Sequence, residues 1–321
     1  MKTIIKILIA VLVLSFLVHT SSLKPGLLLD LFDSPLLLLL TLLIYFIVIG
    51  ISTWRWMLLN KTQGIALSYQ QTILPTYLGI AFNNLLPGGV GGDFFRFYFL
   101  NKACPARKST VMLSILLDRI TGLMGIFIAV FLVSILNYNA FSQHKFILYF
   151  VYFCLLPCVG IAGIYLASLL LPAQVGVSAW LSARFPAENK WSRLFLSLLD
   201  TIRIYRNAKK TLVQCLLASF IIQVFIAVTC MLIARMIHLP AIPLAHYMLA
   251  IAVTQLVNLI PITPGGIGVG EMAFANVLML LNPQVSVSLA TVFLAYRVVG
   301  IVCYLPGVLV FLFERKLAEQ V

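Results

Sequence analysis

The chain has 321 residues, of which 62% are hydrophobic and only 10% are charged, and its formal net charge is +13. Because soluble domains carry about 25% charged residues, this composition excludes an ordinary water-soluble fold. Several apolar runs are long enough to cross a bilayer, and they are continuous rather than alternating, which predicts helices. The expected fold is therefore an all-α polytopic membrane protein that forms a single integral membrane domain over residues 1–321.

About six transmembrane helices are expected. The first corresponds to the apolar run Ile7–Val18, which follows Lys2 and Lys6 and has the features of either a signal peptide or a membrane helix. An uncleaved helix is preferred because no A-x-A site follows the run. The other five spans are predicted at Pro35–Leu58, Ser109–Leu136, Phe146–Leu171, Leu212–Met236 and Val285–Phe313.

Two further apolar segments, Ser68–Leu100 and Leu244–Leu281, are interrupted by proline and glycine. Proline lacks an N–H donor and glycine loses backbone entropy in a helix, so neither segment is expected to form one straight helix. Basic residues flank the first segment on both sides, and cytoplasmic loops collect Lys and Arg. Each segment is therefore interpreted as a re-entrant hairpin of two short helices.

This arrangement places most of the 22 Lys and Arg residues on the cytoplasmic side, Arg55 among them. Both termini and the loop of about residues 172–210 are then cytoplasmic, and the expected location is the bacterial inner membrane. The stretch Trp191–Tyr205 in this loop has an apolar face. It is interpreted as an amphipathic helix at the membrane interface or as a simple helical connector.

The two interrupted segments form an internal repeat, with repeat A at about 66–137 and repeat B at about 244–313. An acid, Asp93 or Glu271, follows each glycine run, and an arginine of an Arg-x-x-Gly element, Arg119 or Arg297, lies 26 residues after each acid. Three predicted crossings separate the copies, so the second hairpin would enter from the opposite face, as in inverted-repeat transporters. The matching hairpin residues are Pro87, Gly88, Gly89 and Gly91 in repeat A and Pro264, Gly265, Gly266 and Gly268 in repeat B.

Ionisable residues at membrane depth define the candidate substrate-binding site. A lone charge there costs on the order of 3 kcal/mol, so these side chains should pair or face water. They are either structural ion pairs or ligands for an anionic headgroup, since a guanidinium group matches phosphate oxygens, and both roles can coexist. The candidate residues are Asp93, Arg96, Asp118, Arg119, Glu271 and Arg297, with Asn84 and Asn258 as caps of the helix breaks or as substrate contacts.

Other chemistry is not indicated. The six cysteines and four histidines show no metal-ligand spacing, so neither a metal nor a cofactor is expected. The glycine runs do not match a phosphate-binding loop. The positive charge is interpreted as an orientation signal with a secondary attraction for anionic lipids, not as a nucleic-acid site.

With the motifs Asn-Asn-Leu-Leu-Pro-Gly-Gly-Val-Gly-Gly-Asp (83–93) and Pro-Gly-Gly-Ile-Gly-Val-Gly-Glu (264–271) in view, the chain resembles the transmembrane region of lysylphosphatidylglycerol synthases, a flippase-like family. The resemblance implies a translocator of a phospholipid or a lipid-linked glycan. The bifunctional synthases carry an additional soluble aminoacyl-transfer domain, whereas this sequence ends at Val321, so lysine transfer is not expected.

Three functional hypotheses follow. The first is a lipid flippase that binds an anionic headgroup and alternates between two gates. The second is a membrane-embedded enzyme that uses Asp93 or Glu271 as a general base. The third is an accessory subunit of a lipid or polyprenyl glycosylation pathway that holds a partner enzyme; a homo-oligomer is a further partner hypothesis. The flippase is preferred because no nucleophile or metal cluster accompanies the acids.

Overall fold

The computed structural model describes residues 24–85, 91–103, 108–170, 208–285 and 288–319, together with a few positions between 11 and 19. Helices are the only regular structure in these ranges. Two of them are 3₁₀ helices, Pro25–Asp33 and Pro264–Gly266. The α-helices are α1 Pro35–Thr62, α2 Tyr69–Leu85, α3 Gly91–Ala103, α4 Lys108–Leu136, α5 Tyr138–Phe141, α6 Lys145–Leu170, α7 Lys209–Met236, α8 Leu244–Asn258, α9 Val269–Leu281 and α10 Leu289–Glu319.

The predicted all-α membrane fold is confirmed. Five stretches are helical, long and apolar enough to cross a bilayer: Pro35–Thr62, Lys108–Leu136, Lys209–Met236, Pro264–Leu281 and Leu289–Phe311. Large apolar side chains point outward from them, including Leu36 at 77% and Leu136 at 81% exposure, as expected for helices that contact lipid. Of the remaining expected features, the N-terminal helix lies largely outside the described residues, as does most of the 172–210 loop.

Both interrupted segments are broken where proline and glycine predict. The first is divided into α2 and α3, which pack against each other. A methyl group at Gly92 would overlap the carbonyl oxygen of Gly79, so the two helices are in backbone contact there. Any residue larger than glycine at position 92 would therefore force the two helices apart.

In the second segment α8 and α9 also pack against each other, and the connection between them holds the 3₁₀ turn Pro264–Gly266. The φ angles of Gly265, Gly266 and Gly268 are 59°, 69° and 82°. Only glycine adopts these values without strain, which explains the residue pattern of this break. Since Pro264–Leu281 alone is long enough to span a membrane, re-entry of this segment stays a prediction.

Helix α1 lies against both Arg-x-x-Gly elements. A methyl group at Gly122 of α4 would lie 3.6 Å from the Arg55 guanidinium, and one at Gly300 of α10 would lie 3.1 Å from the Tyr45 hydroxyl. Tyr45 also donates a hydrogen bond to the Tyr296 carbonyl oxygen. The two copies of the motif thus meet one shared helix, which also packs extensively against α7.

Candidate functional site

Arg297 of α10 holds the second break together. Its Nη1 donates to the Gly265 carbonyl oxygen at 2.6 Å and its Nη2 to the Gly266 carbonyl oxygen at 3.0 Å. Its Nε lies 2.8 Å from Glu271 Oε1. The guanidinium group therefore satisfies two carbonyls that the broken helix leaves without partners, while its charge is balanced by a carboxylate.

Glu271 is fully buried in the third position of α9, with 0% exposure. Its Oε2 accepts a hydrogen bond from the Gly268 N–H at 2.7 Å, so the side chain caps the start of the helix. This contact gives the acid a structural role in addition to its ion pair. The acid and the arginine of repeat B together fix the course of the break.

Repeat A contains the corresponding ion pair between Arg119 of α4 and Asp93 of α3. It is more accessible than its counterpart, because the Arg119 side chain is 33% exposed and the Arg297 side chain only 12%. Asn83 accepts a hydrogen bond from the Gly92 N–H at 3.0 Å and so ties the end of α2 to the start of α3. Asn83 therefore caps a backbone N–H group at the start of α3.

A second charge cluster, which we call the Asp118 cluster, consists of Asp118, Arg55 and Arg96. Asp118 Oδ1 accepts from Arg55 Nε at 2.9 Å, and Oδ2 accepts from Arg96 Nη1 at 2.7 Å. All three residues are at most 8% exposed. Arg96 also lies over the Trp56 ring, 4.9 Å from its centroid, so an aromatic face shares in stabilising the cation.

Arg55 is not a solvated flanking charge. We expected it among the cytoplasmic basic residues, and its side chain is buried inside the bundle, where it donates to Ser219 of α7 at 2.8 Å. It was read as a flanking charge because Asp118, its partner, lies 63 residues away in the sequence. The Asp118 cluster therefore holds two cations and one anion, a net charge of +1.

A cavity of about 230 Å³ lies where the end of α2 approaches the second break. Of the predicted site residues it contacts Asn258 and Arg297, together with the backbone of Gly265 and Gly266. Asn83 reaches it from the first break, so residues flanking both breaks share one cavity. The other lining residues are Ile226, Ile251, Gln255, Pro261, Thr263, Phe293 and Tyr296.

A pair of glutamines, which sequence reasoning missed, connects this cavity to the Asp118 cluster. Gln223 of α7 and Gln255 of α8 exchange two amide hydrogen bonds of 3.2 and 3.1 Å. Gln223 is one helical turn beyond Ser219, the partner of Arg55, so the two side chains share a face of α7. The signal for both glutamines was available, since each is an amide in a predominantly apolar helical run.

We call the polar residues that follow one another through the bundle the polar path: Asp118, Arg55, Ser219, Gln223, Gln255, Asn258 and Arg297. The first three are hydrogen-bonded in series, as are the two glutamines, and the last three line the cavity. The path begins on α4 of repeat A and ends on α10 of repeat B. Since a polar group in hydrocarbon is costly, this path inside an apolar bundle is the candidate functional site.

Gly91 begins α3, whereas Pro87, Gly88 and Gly89 and the side chain of Asn84 lie outside the described residues. Across the described ranges no group of three or more His, Cys, Asp and Glu side chains is arranged to hold a metal ion.

The helices, their apolar exterior and the polar path define a polytopic integral membrane protein whose apolar bundle contains a line of polar side chains. The family described as the lysylphosphatidylglycerol synthase TM region matches residues 3–307, nearly the whole chain, so the protein belongs to this family. No curated protein and no solved structure shows significant similarity to it.

Proposed function

We propose that the protein moves a lipid between the two leaflets of the bacterial inner membrane. The headgroup would travel along the polar path while the acyl chains stay in the surrounding lipid. The observation that carries this proposal is the polar path itself, which reaches from the Asp118 cluster to Arg297 across five helices of an otherwise apolar bundle. Membership of a family known from lipid-modifying synthases supports the same conclusion.

In the proposed mechanism the two ion pairs hold each repeat together as one moving unit. Each fixes a helix break to the long helix that follows it, Asp93 to α4 and Glu271 to α10. We propose that the two units rock against each other, so that the cavity between the breaks opens to one leaflet at a time. This motion requires the inverted relation of the repeats, with both termini in the cytoplasm.

An embedded enzyme would have to use its acids differently. Asp93 and Glu271, the candidate general bases, each pair with an arginine, and Glu271 in addition caps α9. Freeing either carboxylate would dismantle the local structure that holds the break. The geometry therefore supports translocation better than general-base catalysis.

The experiment is reconstitution of the purified protein in liposomes that contain a trace of nitrobenzoxadiazole-labelled lipid. Dithionite bleaches only the outer leaflet, so a translocator increases the bleached fraction above that of protein-free liposomes. An unchanged fraction for labelled phospholipids and labelled glycolipids alike would refute the proposal.

A further inference from the structure

The charge around the cavity is balanced. Among the described residues that line it, Arg297 alone is charged, and its three guanidinium nitrogens already contact the Gly265 carbonyl, the Gly266 carbonyl and the Glu271 carboxylate. Each Nη keeps one further N–H, but the positive charge is balanced by Glu271. A phosphate bound there would displace these partners or enter without a counter-charge. Either event is costly in a low-dielectric interior.

The uncharged polar groups of the cavity include acceptors. The Thr263 hydroxyl donates its hydrogen bond to the Ile267 carbonyl oxygen at 2.8 Å, so toward the cavity it can only accept hydrogen bonds. The carbonyl oxygens of Gly265 and Gly266 each take one hydrogen bond from Arg297 and keep a second lone pair. A ligand that satisfies these atoms must itself donate hydrogen bonds, whereas an ionised phosphate diester has no donor and an ionised phosphate monoester has at most one.

Amides supply both kinds of hydrogen-bonding group beside these acceptors. Asn83, Gln255 and Asn258 line the cavity, and the Gln255 amide keeps one N–H and one lone pair beyond its bonds to Gln223. Ile226, Ile251 and Phe293 provide apolar walls. The volume of about 230 Å³ far exceeds the ~30 Å³ that one water occupies in the liquid.

From these contacts we infer that the cavity between the breaks binds an uncharged, hydroxyl-rich headgroup, such as a single sugar ring, and discriminates against phosphate. The inference rests on the proposed function, because it names the class of lipid that the path would carry. It departs from the sequence-based expectation of an anionic headgroup on Arg297. The reason is that the Arg297 guanidinium already binds the carbonyls of the second break and the Glu271 carboxylate.

The first test compares three lipids with identical acyl chains on the unmodified protein: monoglucosyl diacylglycerol, phosphatidic acid and diacylglycerol. The protein is held in a detergent without a sugar headgroup, and the midpoint of thermal unfolding is measured. A ligand that binds only the folded state raises this midpoint. We expect the glucosyl lipid to raise it by about 3 °C or more, with smaller shifts for the other two. An equal or larger shift with phosphatidic acid would overturn the inference.

The second test uses Asn258→Ala with Asn101→Ala as its matched control. The Oδ1 atoms of both asparagines are buried without a hydrogen-bond partner, but only Asn258 lines the cavity. We expect Asn258→Ala to lose the shift caused by the glucosyl lipid and Asn101→Ala to keep it. Retention of the full shift in Asn258→Ala would contradict the inference. If that variant does not fold, the three-lipid comparison decides alone.

The binding test and the transport test can fail independently of each other. If liposomes show lipid movement but phosphatidic acid binds best, the ligand class is wrong and the proposed function survives. If the glucosyl lipid binds best but no lipid moves, the ligand class survives and the translocator proposal is wrong.

Discussion

Arg297 Nε lies 2.8 Å from Glu271 Oε1, and the 26 residues that separate this pair in the sequence also separate Arg119 from its partner Asp93. In both repeats an acid near the start of one helix thus meets an arginine on the next long helix. In repeat B the arginine also holds the loop carbonyls, so the pair is part of the fold as well as of the site.

Arg297→Lys should destabilise the protein, although it preserves the charge. An ammonium group cannot reproduce a planar fork that meets two carbonyls and a carboxylate together. We expect a loss of about 2–4 kcal/mol in the free energy of unfolding, seen as a lower midpoint of thermal unfolding in detergent. A midpoint equal to that of the unmodified protein would show that the fork geometry is unimportant.

The double variant Glu271→Gln with Arg297→Gln separates the ion pair from the loop contacts. Single changes leave an uncompensated buried charge, which costs about 3–5 kcal/mol, and the double change removes both charges. We expect only partial recovery of the unfolding midpoint, because the Gly265 and Gly266 carbonyls still lose their donors. Full recovery would mean that charge pairing alone sets the role of Arg297.

Two substitutions in the Asp118 cluster should differ in how much stability they cost. Asp118→Asn leaves two buried guanidinium groups without a carboxylate and should cost about 3–5 kcal/mol. Arg55→Met leaves a balanced Asp118 and Arg96 pair and removes the contact with Ser219, so it should cost less, about 1–2 kcal/mol. Thermal unfolding of both variants under the same conditions tests the order, and a larger loss for Arg55→Met would refute a cluster with one surplus cation.

Gly92→Ala should weaken the packing of α2 against α3, because the added methyl group would overlap the Gly79 carbonyl oxygen. Gly160→Ala is the matched control, since a methyl group there meets nothing within 4 Å. We expect Gly92→Ala to lower the unfolding midpoint by several degrees, corresponding to about 1–3 kcal/mol, and Gly160→Ala to leave it unchanged or slightly higher. Equal midpoints would contradict the backbone contact.

The sequence predicts the breaks and identifies the residues of the two ion pairs, because both depend on local chemistry and on a repeat. Proline and glycine interrupt helices whatever surrounds them, and the equal spacing of acid and arginine marks these four charges as equivalent between the repeats. The structure shows that each acid pairs with the arginine of its own repeat. The Asp118 cluster and the glutamine pair could not be predicted in this way. Their members come from different helices, 63 residues apart for Arg55 and Asp118 and 32 for Gln223 and Gln255, and no repeat links them.

The orientation proposed from the basic residues is tested by cysteine labelling in a variant that lacks the six native cysteines. Ser192→Cys lies in the loop proposed to be cytoplasmic, and Gln143→Cys lies between α5 and α6, on the opposite side by the same proposal. A membrane-impermeant thiol reagent should label Gln143→Cys in intact cells and Ser192→Cys only after permeabilisation. The reverse pattern would invert the topology.

The central claim is that a headgroup follows the polar path, and liposome transport by Gln255→Leu tests it most directly. Thr254→Val is the matched control, because Thr254 is the neighbouring residue of α8, fully buried, and bonds only to its own helix at the Ala250 carbonyl. With monoglucosyl lipid carrying the fluorescent label, we predict that Gln255→Leu slows dithionite-detected translocation at least about tenfold. This corresponds to an increase of about 1.4 kcal/mol in the activation free energy of translocation. Thr254→Val should keep the rate of the unmodified protein. Equal rates for Gln255→Leu and Thr254→Val, in proteins of equal thermal stability, would contradict the path.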